Sequence, residues 1–91
     1  MTLNRYAKRR DANHRSIVDA LRQAGCDVED EDVSICDALA GRAGQTFMLE
    51  FKLPGYTDSD LKPRQKRLRS TWRGHYAIVS TIEEALRAVG L

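Results

Sequence analysis

Ninety-one residues allow one compact domain with a thin core, because a chain this size buries little more than ~60% of its unfolded surface. Hydrophobic content of 42% against 31% charged excludes a disordered tail, and no apolar run approaches the roughly 20 residues of a membrane span. The formal net charge of +2 comes from 15 basic and 13 acidic residues that are segregated along the chain, a division that points to a polyanion partner beside an acidic site.

The first ten residues, MTLNRYAKRR, form a basic arm containing Arg9 and Arg10, without the apolar stretch of a secretory signal. Asp11 to Ala24 is predicted as a helix, with Ile17, Leu21 and Ala24 on one stripe and Gly25 ending it. Cys26 to Ile35 alternates weakly and reads as an edge strand whose acids blunt edge pairing. The same acids of 27–32 could instead hold a second metal. Cys26 and Cys36 are too few for a disulfide framework or a metal cluster and read as reduced thiols of a cytosolic protein.

Residues 35–40 and 45–52 are expected to form a hairpin around Gly41 and Gly44. Phe47, Leu49 and Phe51 alternate with Met48, Glu50 and Lys52, the period of a half-buried strand. With Arg42 and Ala43 as the loop, Asp37 would stand opposite Met48, on the face of Glu50 and Lys52. A slip of one residue would send Asp37 to the other face, and no Asn-Gly turn decides the register.

Leu53 to Leu61 is a turn-rich loop. A second helix is expected from Lys62 to Trp72, with Leu61, Gln65, Leu68 and Trp72 inside and Lys62, Arg64, Lys66, Arg67, Arg69 and Arg73 forming a basic surface without one acid. Trp72 reads as core or as a base-stacking platform, and Gln65 as an N-terminal cap or a catalytic side chain. Tyr76 to Val79 is a short strand; His75 before it has no evident partner. Ser80 with Glu83 predicts a capping box opening a last helix that buries Ile82, Ala85, Leu86 and Val89. The resulting order, α-β-β-β-α-β-α, is a single α/β domain over residues 1–91 with a small mixed sheet flanked by helices.

Glu50 and Lys52, two apart on one strand, share a face, and Asp37 joins them from the neighbouring strand. Two carboxylates with open water positions suit a hard divalent cation such as Mg²⁺. A nearby ammonium can orient an attacking water or stabilise charge building on a phosphate.

Asp37 followed by Glu50-Phe51-Lys52 resembles the D…(D/E)xK motif of the PD-(D/E)xK nuclease superfamily. RRDANHRSIVDALRQAG, the D-x-L-x-G of Asp37 to Gly41, FMLEFK, LKPRQ, W-R-G and STIEEALRAVG are similar, in that order, to its small VRR-NUC-type branch of phage and bacterial stand-alone nucleases. The resemblance implies a restriction-endonuclease-like fold and an Mg²⁺- or Mn²⁺-dependent endonuclease. Asp37, Glu50 and the Phe51 carbonyl would hold the metal, Lys52 would act on the water and Gln65 would reach the site. It further implies branched or junction DNA as substrate, as for Holliday-junction resolvases, a homodimer, and residence in the cytoplasm, the bacterial host's if phage-encoded. DNA would be held without sequence reading by Arg9, Arg10 and the basic residues of 62–73.

Three positions depart from that pattern. Cys36 stands where a proline usually precedes the aspartate. His14 occupies the position of a metal-assisting glutamate and reads as a ligand, a phosphate contact or a boundary histidine. Val79-Ser80 replaces the usual Val-Arg. The competing readings are a non-catalytic DNA-binding module on a nuclease-like fold and a small basic interaction protein.

Overall fold

The computed structural model describes residues 12–91; the basic arm with Arg9 and Arg10 lies outside them. Among the described residues, three helices and four strands follow the expected order: α1 (His14–Gln23), β1 (Asp27–Glu29), β2 (Ala38–Arg42), β3 (Gln45–Phe51), α2 (Pro63–Thr71), β4 (His75–Val79) and α3 (Ile82–Ala88). A single turn of 3₁₀ helix at Asp58–Asp60 lies between β3 and α2. The sheet order is β1-β2-β3-β4, antiparallel through β3 and parallel between β3 and β4. Parallel pairing requires a crossover, and α2 supplies it.

Helix α1 begins at Asn13, whose Nδ2 donates to the carbonyls of Lys52 (3.0 Å) and Ser80 (2.7 Å). This one amide ties the helix start to the ends of β3 and β4. The helix closes with Cys26 N–H donating to Leu21 O at 3.0 Å across Gly25, which has φ +96°, a Schellman arrangement that satisfies a terminal carbonyl.

Paired residues in a sheet share a face. The register therefore groups Ala38, Ala40, Phe47, Leu49, Phe51, Ala77 and Val79 on one side. There they pack with Ile17, Val18 and Leu21 of α1 and with Ala85 and Val89 at α3 to form the main core. The opposite face carries Leu39, Met48, Glu50, Tyr76 and Ile78, and α2 lies over it with Gln65 and Leu68 buried.

Several local expectations change. The strand expected over Cys26–Ile35 contracts to Asp27–Glu29, because the run of charged residues after Val28 offers nothing to bury. Strand β3 is buried on both faces from Phe47 to Phe51, not half-buried, because α2 covers what would otherwise be its polar side. The last helix is capped by Thr81, whose Oγ1 accepts from Glu84 N–H at 3.1 Å, while Glu84 Oε1 accepts from Ser80 N–H at 2.7 Å. The capping pair thus stands one residue later than Ser80 and Glu83. Ile82 falls at the first turn and is 40% exposed, whereas Ala85 and Val89 are buried. Trp72, at the end of α2, is 47% exposed and outside the core.

Candidate functional site

The hairpin register decides whether the carboxylates meet. The turn is Ala43-Gly44, with Arg42 opposite Gln45 and Ala38 opposite Leu49. Compared with an Arg42-Ala43 loop, partners are displaced by two positions, which preserves facing because the side-chain period is two. Ala43 has φ +52° and Gly44 φ +78°, the pair of left-handed residues of a type I′ turn.

Asp37 stands just before β2. Its N–H donates to Leu49 O at 3.1 Å, and its Oδ2 accepts from Phe51 N–H at 2.8 Å. The latter bond replaces a ladder contact that β2 no longer makes. On the other flank of β3, Lys52 N–H donates to Val79 O at 3.0 Å. Successive residues point their backbone groups to alternate flanks, so the Phe51 N–H and carbonyl both face the Asp37 side.

Glu50 is 2% exposed. Gln65 Nε2 donates to its Oε1 and the Tyr76 hydroxyl to its Oε2, each at 3.2 Å. The Asp37 carboxylate is near enough for its charge to act on the same carboxyl. Burial first, and the neighbouring Asp37 charge second, push the Glu50 carboxyl up to about 7; the bonds from Tyr76 and Gln65 oppose that rise without cancelling it. The Cys36 thiol, whose Sγ lies 3.3 Å from Ala38 O, is pushed up to about 11 by burial and by Glu50. Burial and Glu50 also raise the Tyr76 phenol, so its proton stays in place as a donor.

Of the two readings of Gln65, the structure shows the cap, and beside it a bond to Glu50. Its Oε1 accepts from Lys62 N–H at 2.9 Å, capping α2, while its amide nitrogen holds Glu50. Tyr76 is the member that motif spacing missed. It lies opposite Met48 across the β3–β4 pairing, and only that register puts it on the Glu50 face. Lys52 is half-buried, and its Nζ donates to Asp60 O at 3.0 Å. The ammonium is engaged with the loop carbonyl.

His14 is buried and lies on the other side of the sheet. Its ring packs edge-on against Phe51 at 4.7 Å, and its Nε2 is 3.1 Å from Asp30 Oδ2. Arg22 approaches the same aspartate at 3.7 Å. Among the described residues, no group of three or more His, Cys, Asp or Glu side chains gathers as a metal site. The acids at 27, 29, 31 and 32 are exposed and separate.

The basic residues of α2 and its flanks, Lys62, Arg64, Lys66, Arg67, Arg69 and Arg73, are all exposed. Among the described residues only Arg69 of these forms an ion pair, a two-pronged one with Asp58 at 3.0 and 3.2 Å, which fixes the 53–61 loop on the helix. The Arg69 guanidinium holds the Asp58 carboxyl below its usual range. No helix of the described residues is long and apolar enough to cross a membrane. Comparisons with protein-family models, curated proteins and solved structures each find no match to this chain.

Proposed function

We propose that this protein is a divalent-metal-dependent DNA endonuclease acting on branched or junction DNA without reading sequence. The reading is carried by the Asp37–Glu50 pair: two carboxyls on one face of the sheet and close enough to act on each other, one of them buried, with the motif's lysine bonded elsewhere. Such a pair carries uncompensated negative charge once both groups ionise, and a hard cation is what relieves it.

The donor set suits Mg²⁺ or Mn²⁺. Each carboxylate oxygen has two lone pairs, so Glu50 retains acceptor capacity beside Gln65 and Tyr76, as does Asp37 beside Phe51 N–H. The Phe51 carbonyl, on the same flank, is a third oxygen. When bound, the cation supplies Lewis acidity, lowering the pKa of a water and neutralising charge on a phosphate oxygen.

The protein's own groups do the positioning. Gln65 and Tyr76 hold Glu50 by one oxygen each, which fixes the plane of its carboxylate before any ligand arrives. Lys52 needs to leave one bond to a neutral carbonyl, worth about 1 kcal/mol, to bring its ammonium to a substrate phosphate or water. The unpaired cations of α2 would bind backbone phosphates, contacts that position a strand without specifying a base. Selectivity for a DNA shape would rest on this surface or on a second copy of the chain.

Incubation with single-stranded, duplex, flap and four-way DNA in Mg²⁺ or Mn²⁺, beside Glu50→Gln and Lys52→Ala, tests this. Metal-dependent cleavage lost in both variants supports it. Absence of cleavage on every substrate would falsify the enzyme reading. Salt-sensitive binding without cleavage would favour the non-catalytic DNA-binding module, for which the engagement of Lys52 by Asp60 is the supporting observation.

A further inference from the structure

A cleft lies on the main-core face of the sheet, at the opposite end of β3 from the carboxylates. Its volume is about 310 Å³, and Arg42, Gln45, Phe47, His75, Arg87 and Gly90 line it. It forms where the tip of the β2–β3 hairpin, the start of β4 and the last turn of α3 meet. The rings of Phe47 and His75 stack with centroids 4.4 Å apart and planes inclined at 33°. Phe47 is buried and His75 exposed, so the imidazole is the aromatic surface offered to a ligand.

Two guanidiniums border this surface. Arg42 is half-buried, and its Nη1 donates to Val89 O at 3.0 Å. That bond orients the side chain and leaves its other N–H groups available. A Cβ at Gly90 would come within 3.0 Å of the same nitrogen, so the glycine makes room for this placement. Among the described residues, neither Arg42 nor Arg87 forms an ion pair, and no acidic side chain lines the cleft. Asp27, the nearest acid along the sheet, pairs with Gly41 and therefore projects from the other face.

We propose that this cleft binds a phosphomonoester carried on an aromatic base, that is, a nucleoside monophosphate, either free or as the 5′ end of a strand. Guanidinium forks match phosphate oxygens, the exposed ring offers a stacking surface, and the volume lies at the lower end of the range for small-ligand pockets. The site is separate from the carboxylates and does not depend on their chemistry.

The test is an amide-resolved NMR titration of the full chain with deoxyadenosine 5′-monophosphate, deoxyadenosine, inorganic phosphate, and a short oligonucleotide with either a 5′-phosphate or a 5′-hydroxyl. The monophosphate should move the amides of Arg42, His75 and Gly90. Inorganic phosphate should bind about tenfold more weakly, and the nucleoside should leave those amides in place. Arg42→Gln and Arg87→Glu should each weaken binding by about tenfold or more, while Glu50→Gln should bind like the parent. Preference for the 5′-phosphorylated oligonucleotide over both its hydroxyl form and the free nucleotide supports the proposal and assigns the ligand to strand ends. Equal binding of the two oligonucleotides at these amides would overturn the monoester assignment. So would undiminished binding by Arg87→Glu, an exposed substitution whose thermal melt shows whether the fold is kept, or no response of these amides to the monophosphate.

Discussion

Gln65 donates its amide to Glu50 Oε1 at 3.2 Å while its own oxygen takes the Lys62 N–H at 2.9 Å, so one side chain both starts helix α2 and holds the buried carboxyl beneath it. The helix that carries the basic surface is thereby registered against the strand that carries the acidic pair. Local capping and the geometry of the site cannot be changed independently at this residue.

Replacing Gln65 with alanine removes both bonds and leaves a buried carboxyl oxygen without its donor. Urea denaturation at pH 7 should show a loss of about 1–3 kcal/mol. A loss confined to a few tenths would mean that Glu50 recruits another donor.

The raised Glu50 carboxyl makes stability depend on pH with a definite sign. Its ordinary value is 4.5 and its folded value about 7, so between those limits the folded state keeps a proton that the unfolded state has released. The favourable contribution is complete below pH 4.5 and declines as pH rises through 7. Glu50→Gln should therefore gain stability relative to the parent on going from pH 5 to pH 8, by an amount on the order of a few kcal/mol. Paired denaturation curves at the two pH values measure the difference, and equal values would place Glu50 in a solvated setting.

If the carboxyl pair takes a divalent cation, metal should stabilise the fold most where both groups are ionised. At pH 8, Mg²⁺ or Mn²⁺ at a hundredfold excess over Kd should add about 2.7 kcal/mol, seen as a rise in Tm that EDTA reverses. Asp37→Asn and Glu50→Gln should each remove the rise. A metal response that survives both substitutions would locate the ion elsewhere.

The Ala43-Gly44 turn asks a residue with a Cβ to take φ +52°. Asparagine tolerates that conformation better than alanine does, and Asn-Gly is the favoured pair for this turn. Ala43→Asn should therefore stabilise the protein by roughly 0.5–1 kcal/mol, measurable as a higher denaturant midpoint at unchanged m.

The element order was legible because it depends on short-range properties: the stripe of Ile17 and Leu21, the alternation from Phe47 to Phe51, Pro63 at a helix start, and Gly25 at a helix end. The candidate site was legible only as a set of residues. The capping role of Gln65 was readable from its place three residues after Lys62, and Asp37 and Glu50 stood out as charged residues beside apolar neighbours. Trp72 and Ile82 were misplaced, since an apolar side chain at the end of a stripe carries no record of whether a partner waits there. Ile82 keeps its spacing to Ala85 and Val89, yet at the first turn of α3 it is 40% exposed.

What the sequence determined by itself was therefore the succession of helices and strands, the segregation of charge, and the alternation that sets Glu50 apart from Phe47, Leu49 and Phe51. What only the tertiary structure decided was which residues share an environment. The Ala43-Gly44 turn put Asp37 on the Glu50 face; the parallel pairing of β4 brought Tyr76 beneath the same carboxyl; and α2, folding over that face, converted an apparently solvated glutamate into a buried one. Periodicity is a property of neighbours a few bonds apart, whereas register and burial are fixed by strands and helices that meet only when the chain has closed on itself.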